Sequence, residues 1–227
     1  MSPPAARPVD DVTYWAGQMA DHAELYDMLL QDSELRSAAR RTGPRWRSVA
    51  ASSSPRRRVE ALALIPETAE YKQRVLQRLM RGEWVGWALP SFVEHTLGEV
   101  QYMQARLEGR VDERSDLHAW LALLRGYPEL LPKLVDPRQT DFARRAEPIK
   151  IRLAALQRLA AGPVGSGDMM LLAADRAFAE SEAWCASAPL GMHAIPPLLA
   201  AHVAGEHARA RHVVRSWRKG GKRGGSR

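Results

Sequence analysis

Residues 90–99 read PSFVEHTLGE, and residues 197–206 read PLLAAHVAGE. Both follow P-x4-H-x3-E, which puts His95 with Glu99 in one segment and His202 with Glu206 in the other. Proline suits the first position of a helix, where its missing N–H bonds to nothing and its fixed φ is already helical. Ser91 followed by Glu94 reads as a capping box at the same start. On the helix so begun, residues four apart lie on one face about one turn from each other.

A second motif recurs in the same order. Trp15 precedes His22 by seven residues, and Trp120 precedes Tyr127 by seven. The first helices are offset by 105 residues and the last by 107. Consistent offsets at both ends argue for duplication of a whole unit of about four helices.

The rest of the chain fits that frame. Strand-type alternation is nearly absent, and helical periodicity repeats. Val12 to Leu30 places Trp15, Met19, His22, Leu25, Tyr26 and Leu29 on one face. Pro66 to Arg81 reads as a helix opened by its proline, Leu89 to Leu107 as a third, and Pro196-Pro197 opens one running to about Trp217. Breakers fall at Ser52–Arg58, Gly162–Asp168 and Ser187–Pro197. The predicted fold is all-α: two up-and-down four-helix bundles in tandem, at 10–109 and 113–217. Residues 218–227, Gly-rich and charged, read as a disordered basic tail.

Composition narrows the function classes. The 227 residues are 45% hydrophobic, within the globular range. The one cysteine, Cys185, excludes an internal disulfide framework and a cysteine-based zinc site. The N-terminus carries no apolar signal core, and no stretch reaches the length of a membrane span, so a cytoplasmic protein is expected. The formal charge is +7, of which the last ten residues hold +5 in Arg218, Lys219, Lys222, Arg223 and Arg227. The body is therefore no basic nucleic-acid-binding domain by charge. One internal segment stands apart: Leu35 to Val59 holds eight arginines and no acid. A solvated face is the simplest account of it, with phosphate contact as the competing one.

Five side chains are candidate ligands of one divalent ion: His22, His95, Glu99, His202 and Glu206. Their mixed nitrogen and oxygen donors suit iron, manganese or zinc. His118, His193 and His212 fall near element ends or in loops, and His207, directly after Glu206, points about 100° away from it, which fits exposure to solvent better than a role supporting the ligands. A buried histidine can equally be a hydrogen-bonded core residue, so the metal reading rests on the recurrence of the H-x-x-x-E pair. No E-x-x-H is present, which argues against a standard di-iron oxidase site. H-E-x-x-H, the P-loop, G-x-G-x-x-G behind a strand and G-x-S-x-G are absent too.

The segments TYWAGQMADHAELYDMLL, EYKQRVLQRLMRGEWVGWALPSFVEHTLGEVQYM and IPPLLAAHVAGEHARARHVV resemble a bacterial family described as Bacillus metalloprotein-like. The resemblance spans roughly residues 12–215. It implies tandem ferritin-like bundles and a metal near the junction of the two halves. The family pattern of an acid followed by histidine in the first helix is matched by Asp21-His22, and its fourth-helix pattern by His95/Glu99 and His202/Glu206. The chain departs at Gly126-Tyr127, where the second histidine is replaced, and Pro128 and Pro132 are expected to interrupt that helix. Two functions are carried forward. One is a metal-binding bundle whose reaction is unknown. The other is a non-catalytic scaffold that has lost the metal and binds an acidic partner or nucleic acid through its basic segments.

Overall fold

A computed structural model describes residues 10–162, 167–188 and 196–224, with 220–224 as backbone alone. Among these residues the regular elements are helical, apart from one isolated bridge between Leu30 and Gly86. No described helix is long and apolar enough to cross a membrane. The chain divides into two compact units, Met1–Arg110 and Val111–Arg227.

The first unit holds α1 (Asp11–Leu29), α2 (Ser33–Ala51), α3 (Arg57–Met80) and α4 (Pro90–Leu107). Each helix packs on the next, and α4 closes back on α1. Starts are set by carboxylates: Asp10 Oδ1 accepts from the N–H groups of Val12 and Thr13, and Asp32 Oδ1 accepts from Leu35. Trp15, Met19, Tyr26, Leu35, Trp46, Val75 and Met103 fill the core. The Trp46 indole N–H donates to Thr68 Oγ1 at 2.9 Å, so that large ring is buried with its polar atom satisfied.

The α3–α4 connection is pinned to the end of α1. Gln31 N donates to Val85 O and Trp87 N donates to Leu29 O, both at 2.8 Å. Gly86 sits there at φ 133°, with Leu29 O only 2.3 Å from where a Cβ would stand. That approach requires glycine.

The second unit holds α5 (Glu113–Leu130), a 3-10 turn (Leu131–Lys133), α6 (Thr140–Ala161), α7 (Asp168–Ala186) and α8 (Pro197–Gly224). It has the same order of neighbours, with α8 packing on α5. Asp112 and Ser115 form a capping box at the start of α5.

Several local expectations are corrected. Pro66 lies inside α3, which starts nine residues earlier at Arg57; a single interior proline removes one backbone bond, and the buried Leu64, Ile65 and Thr68 hold the helix through it. Pro128 likewise lies within α5, and only beyond Leu130 does the chain tighten to a 3-10 turn around Pro132. Pro90 opens α4 as expected, but Leu89 is its N-cap with no side-chain cap bond, so the Ser91/Glu94 box does not form the start. Helix α8 continues to Gly224, into the segment assigned to a disordered tail. Residues 163–166 and 189–195, with His193, fall outside the described residues.

Buried positions keep one register between the units. Trp15, Met19, His22 and Tyr26 on α1 correspond at a spacing of 105 to Trp120, Leu124, Tyr127 and Leu131. Ile65, Thr68, Tyr71, Lys72 and Val75 on α3 correspond at 106 to Leu171, Ala174, Ala177, Phe178 and Ser181 on α7. Phe92, Thr96, Glu99 and Met103 on α4 correspond at 107 to Leu199, Val203, Glu206 and Ala210.

Candidate metal centre

In the first unit α1 and α4 bring three of the predicted ligands together. Glu99 is wholly buried, and each of its carboxylate oxygens faces one imidazole. His22 Nε2 lies 3.1 Å from Oε2, and His95 Nε2 lies 3.0 Å from Oε1. His95 reaches Glu99 because both stand on one face of α4, one turn apart. His22 reaches it from the middle of the apolar face of α1. Burial by itself raises the Glu99 carboxyl, but His22 and His95 outweigh it and hold the group well below the usual carboxylate range.

A fourth member was not foreseen. Lys72 on α3 is fully buried, with its Nζ 2.9 Å from His22 Nδ1 and 3.1 Å from the Thr96 carbonyl oxygen, to which it donates. The ammonium also lies 5.6 Å from the Tyr26 ring centroid. Tyr26 Oη and Thr96 Oγ1 are 2.8 Å apart, and Thr96 Oγ1 donates to Val93 O, which completes the polar layer. Burial pulls the Lys72 amine down to about 7, against the opposing pull of Glu99. Two donors cannot face each other at 2.9 Å, so Lys72 and His22 share one proton between Nζ and Nδ1. With the Lys72 amine protonated, the pair carries one positive charge opposite the Glu99 carboxylate. The His22 tautomer follows the Lys72 proton: beside an ammonium Nδ1 accepts and an Nε2–H faces Glu99, and beside a neutral amine Nδ1 donates and Nε2 presents its lone pair.

In the second unit the matching layer is poorer in polar groups. His202 and Glu206 are both buried on α8, with His202 Nε2 3.9 Å from Glu206 Oε1. Tyr127 stands where His22 stands in the first unit, and its hydroxyl donates to Glu206 Oε2 at 2.7 Å. Phe178, Val203 and Leu131 take the places of Lys72, Thr96 and Tyr26. Among the described residues of this unit no buried lysine answers Lys72.

His207 is buried, not exposed as predicted: its Nδ1 lies 2.8 Å from Val203 O and its Nε2 2.9 Å from Ser181 Oγ. Helix α8 packs against both α7 and α5, so a residue 100° round from Glu206 still meets a neighbour. Burial holds the imidazole down to about 4. His118 is half-buried within α5, and His212 is exposed on α8.

The arginine-rich run lies on α2 and the start of α3, and much of its charge is answered inside the unit. Arg36 and Arg40 share Asp27, Arg45 pairs with Glu67, Arg47 with Glu24, and Arg57 with Asp10. The acids come from α1, its cap and α3, which no local window of sequence shows.

No protein-family model matches the chain. An uncharacterized protein of Acanthamoeba polyphaga mimivirus is 26% identical over 123 residues, covering 44% of this chain and 38% of that protein. The chain thus spans well under half the length of that relative. A crystal structure of an uncharacterized protein from Bacillus cereus G9241 superposes with a TM-score of 0.68 at 15% identity, covering 92% of this chain and 89% of that one. The likeness establishes a shared helical fold.

Proposed function

We propose that this is a metal-binding helical protein in which two copies of one ferritin-like four-helix unit serve a single divalent ion through His22, His95, Glu99, His202 and Glu206. The observation that carries the reading is the buried Glu99 carboxylate with an imidazole Nε2 on each oxygen. The second H-x-x-x-E pair, also buried, supports it. The shared register of buried positions supports the duplication. Ligands at about 2.1 Å from an ion and at right angles stand about 3.0 Å apart, so the separations at Glu99 suit a shared ion as well as a hydrogen bond. Neutral imidazoles and carboxylates match iron, manganese or zinc, and a bound ion would supply Lewis acidity. The test is elemental analysis of untagged protein from metal-replete cells, beside His95→Ala plus His202→Ala. Bound metal that disappears in the double variant supports the reading; no metal in the unmutated protein overturns it.

Lys72 favours a second reading. Its shared charge with His22 already balances Glu99, so the first unit can be electrically complete as a scaffold without an ion. Such a scaffold would meet an acidic partner through the basic residues at its C-terminal end, because the run at 36–58 is largely paired. Binding that is insensitive to salt and to removal of residues 218–227 would count against it.

A further inference from the structure

The second unit contains a cavity of about 280 Å³ lined by Leu131, Cys185, Ala200, Val203, Ala204 and His207, with Glu182 also on its wall. At four of the corresponding positions the first unit carries a bulkier side chain. Tyr26 stands for Leu131, Leu79 for Cys185, Val93 for Ala200 and Leu97 for Ala204. Tyr26 packs edge-on against Tyr71 at 5.4 Å and against Phe92 at 5.3 Å between ring centroids. Ala177 and Leu199 replace those two rings in the second unit. One half thus fills this region with aromatic and branched side chains, and the other leaves it open. Close-packed interiors keep few voids of this size, and an unfilled one costs stability.

The polar groups on the wall are already engaged. Glu182 pairs with Arg211. Both His207 nitrogens have partners, Val203 O and Ser181 Oγ. Among the described residues, none on the wall offers a free cation to an anionic ligand or a free anion to a cationic one. We propose that this cavity is a binding site for a small uncharged apolar molecule, either one aromatic ring or a short aliphatic chain. A cavity of about 150 Å³ accommodates benzene, so this one suits about ten carbon atoms. The site lies within the second unit and is independent of any metal.

Cys185 makes the test direct, because it is the one thiol in the chain and lies on the cavity wall. Alkylation of the full chain by N-ethylmaleimide is followed at fixed pH with increasing toluene, and separately 1-octanol. If only the empty cavity reacts, the rate falls about elevenfold at ten times the dissociation constant. Ala204→Leu and Ala200→Val restore the first unit's residues, fill the space and abolish the protection while circular dichroism stays helical. Protection in the unmutated chain that both variants weaken or abolish supports the proposal. No slowing by either probe, or equal slowing in the filled variants, overturns it.

Discussion

Replacing Lys72 by methionine and Glu99 by glutamine, singly and together, tests whether the buried layer of the first unit is an ion pair relayed through His22. Lys72→Met leaves the buried Glu99 carboxylate without the lysine's charge, and Glu99→Gln leaves the Lys72–His22 pair without its anion. Removing one partner of a buried pair costs about 3 kcal/mol or somewhat more. Contacts of 2.9 and 3.1 Å on either side of one imidazole keep Nζ and Glu99 Oε2 within about 8 Å of each other, so at an effective dielectric constant of about 20 the attraction is at least about 2 kcal/mol. The double variant is therefore expected to lose about 2 kcal/mol less than the two single losses combined, roughly a thirtyfold difference in the folding constant. Urea unfolding at pH 7 with chelator present, followed by circular dichroism, measures it. Additivity within about 0.5 kcal/mol would refute the relay and leave Lys72 and Glu99 as independent buried groups.

Two further outcomes follow from the fold. Asp32→Ala removes both the cap of α2 and the partner of Arg78, and should cost about 1–2 kcal/mol at neutral pH in thermal unfolding. The Leu35 N–H and Arg78 hold that carboxyl below its usual value. Its stabilisation is thus present above the unfolded carboxylate range and is lost as pH falls through the folded value, so the gap to the unmutated protein should close in acid; a gap constant down to pH 2 would contradict this. Gly86→Ala should cost at least about 2 kcal/mol, because its Cβ would meet the backbone of Leu29, Leu30 and Gln31. Gly82→Ala, at φ 75° with open space around it, should cost only about 1 kcal/mol, and equal losses would contradict the steric account.

The helical class and the positions of His95, Glu99, His202 and Glu206 were readable because burial and spacing in one helix are local properties of sequence. Lys72 was not, because in EYKQRV a lysine reads as surface. The signal was its place in the stripe Ile65, Thr68, Tyr71, Lys72 and Val75, which a helical period marks as inward. His207 was missed for a related reason. One face of a helix was assigned to the core, whereas α8 has neighbours on two sides. Proline misled twice, at Pro66 and Pro128, since tertiary packing can carry a helix through one lost backbone bond. The arginine run read as open charge because Asp27, Glu24, Glu67 and Asp10 lie outside its window.

The central proposal is that Glu99 and its histidines hold an ion. Native mass spectrometry of the untagged full chain, incubated separately with iron, manganese and zinc and then desalted, tests it most directly. The account predicts one tightly held ion per chain in the unmutated protein and none in Glu99→Gln. A chain that keeps its metal-free mass under all three conditions, or binds equally after Glu99→Gln, would contradict it.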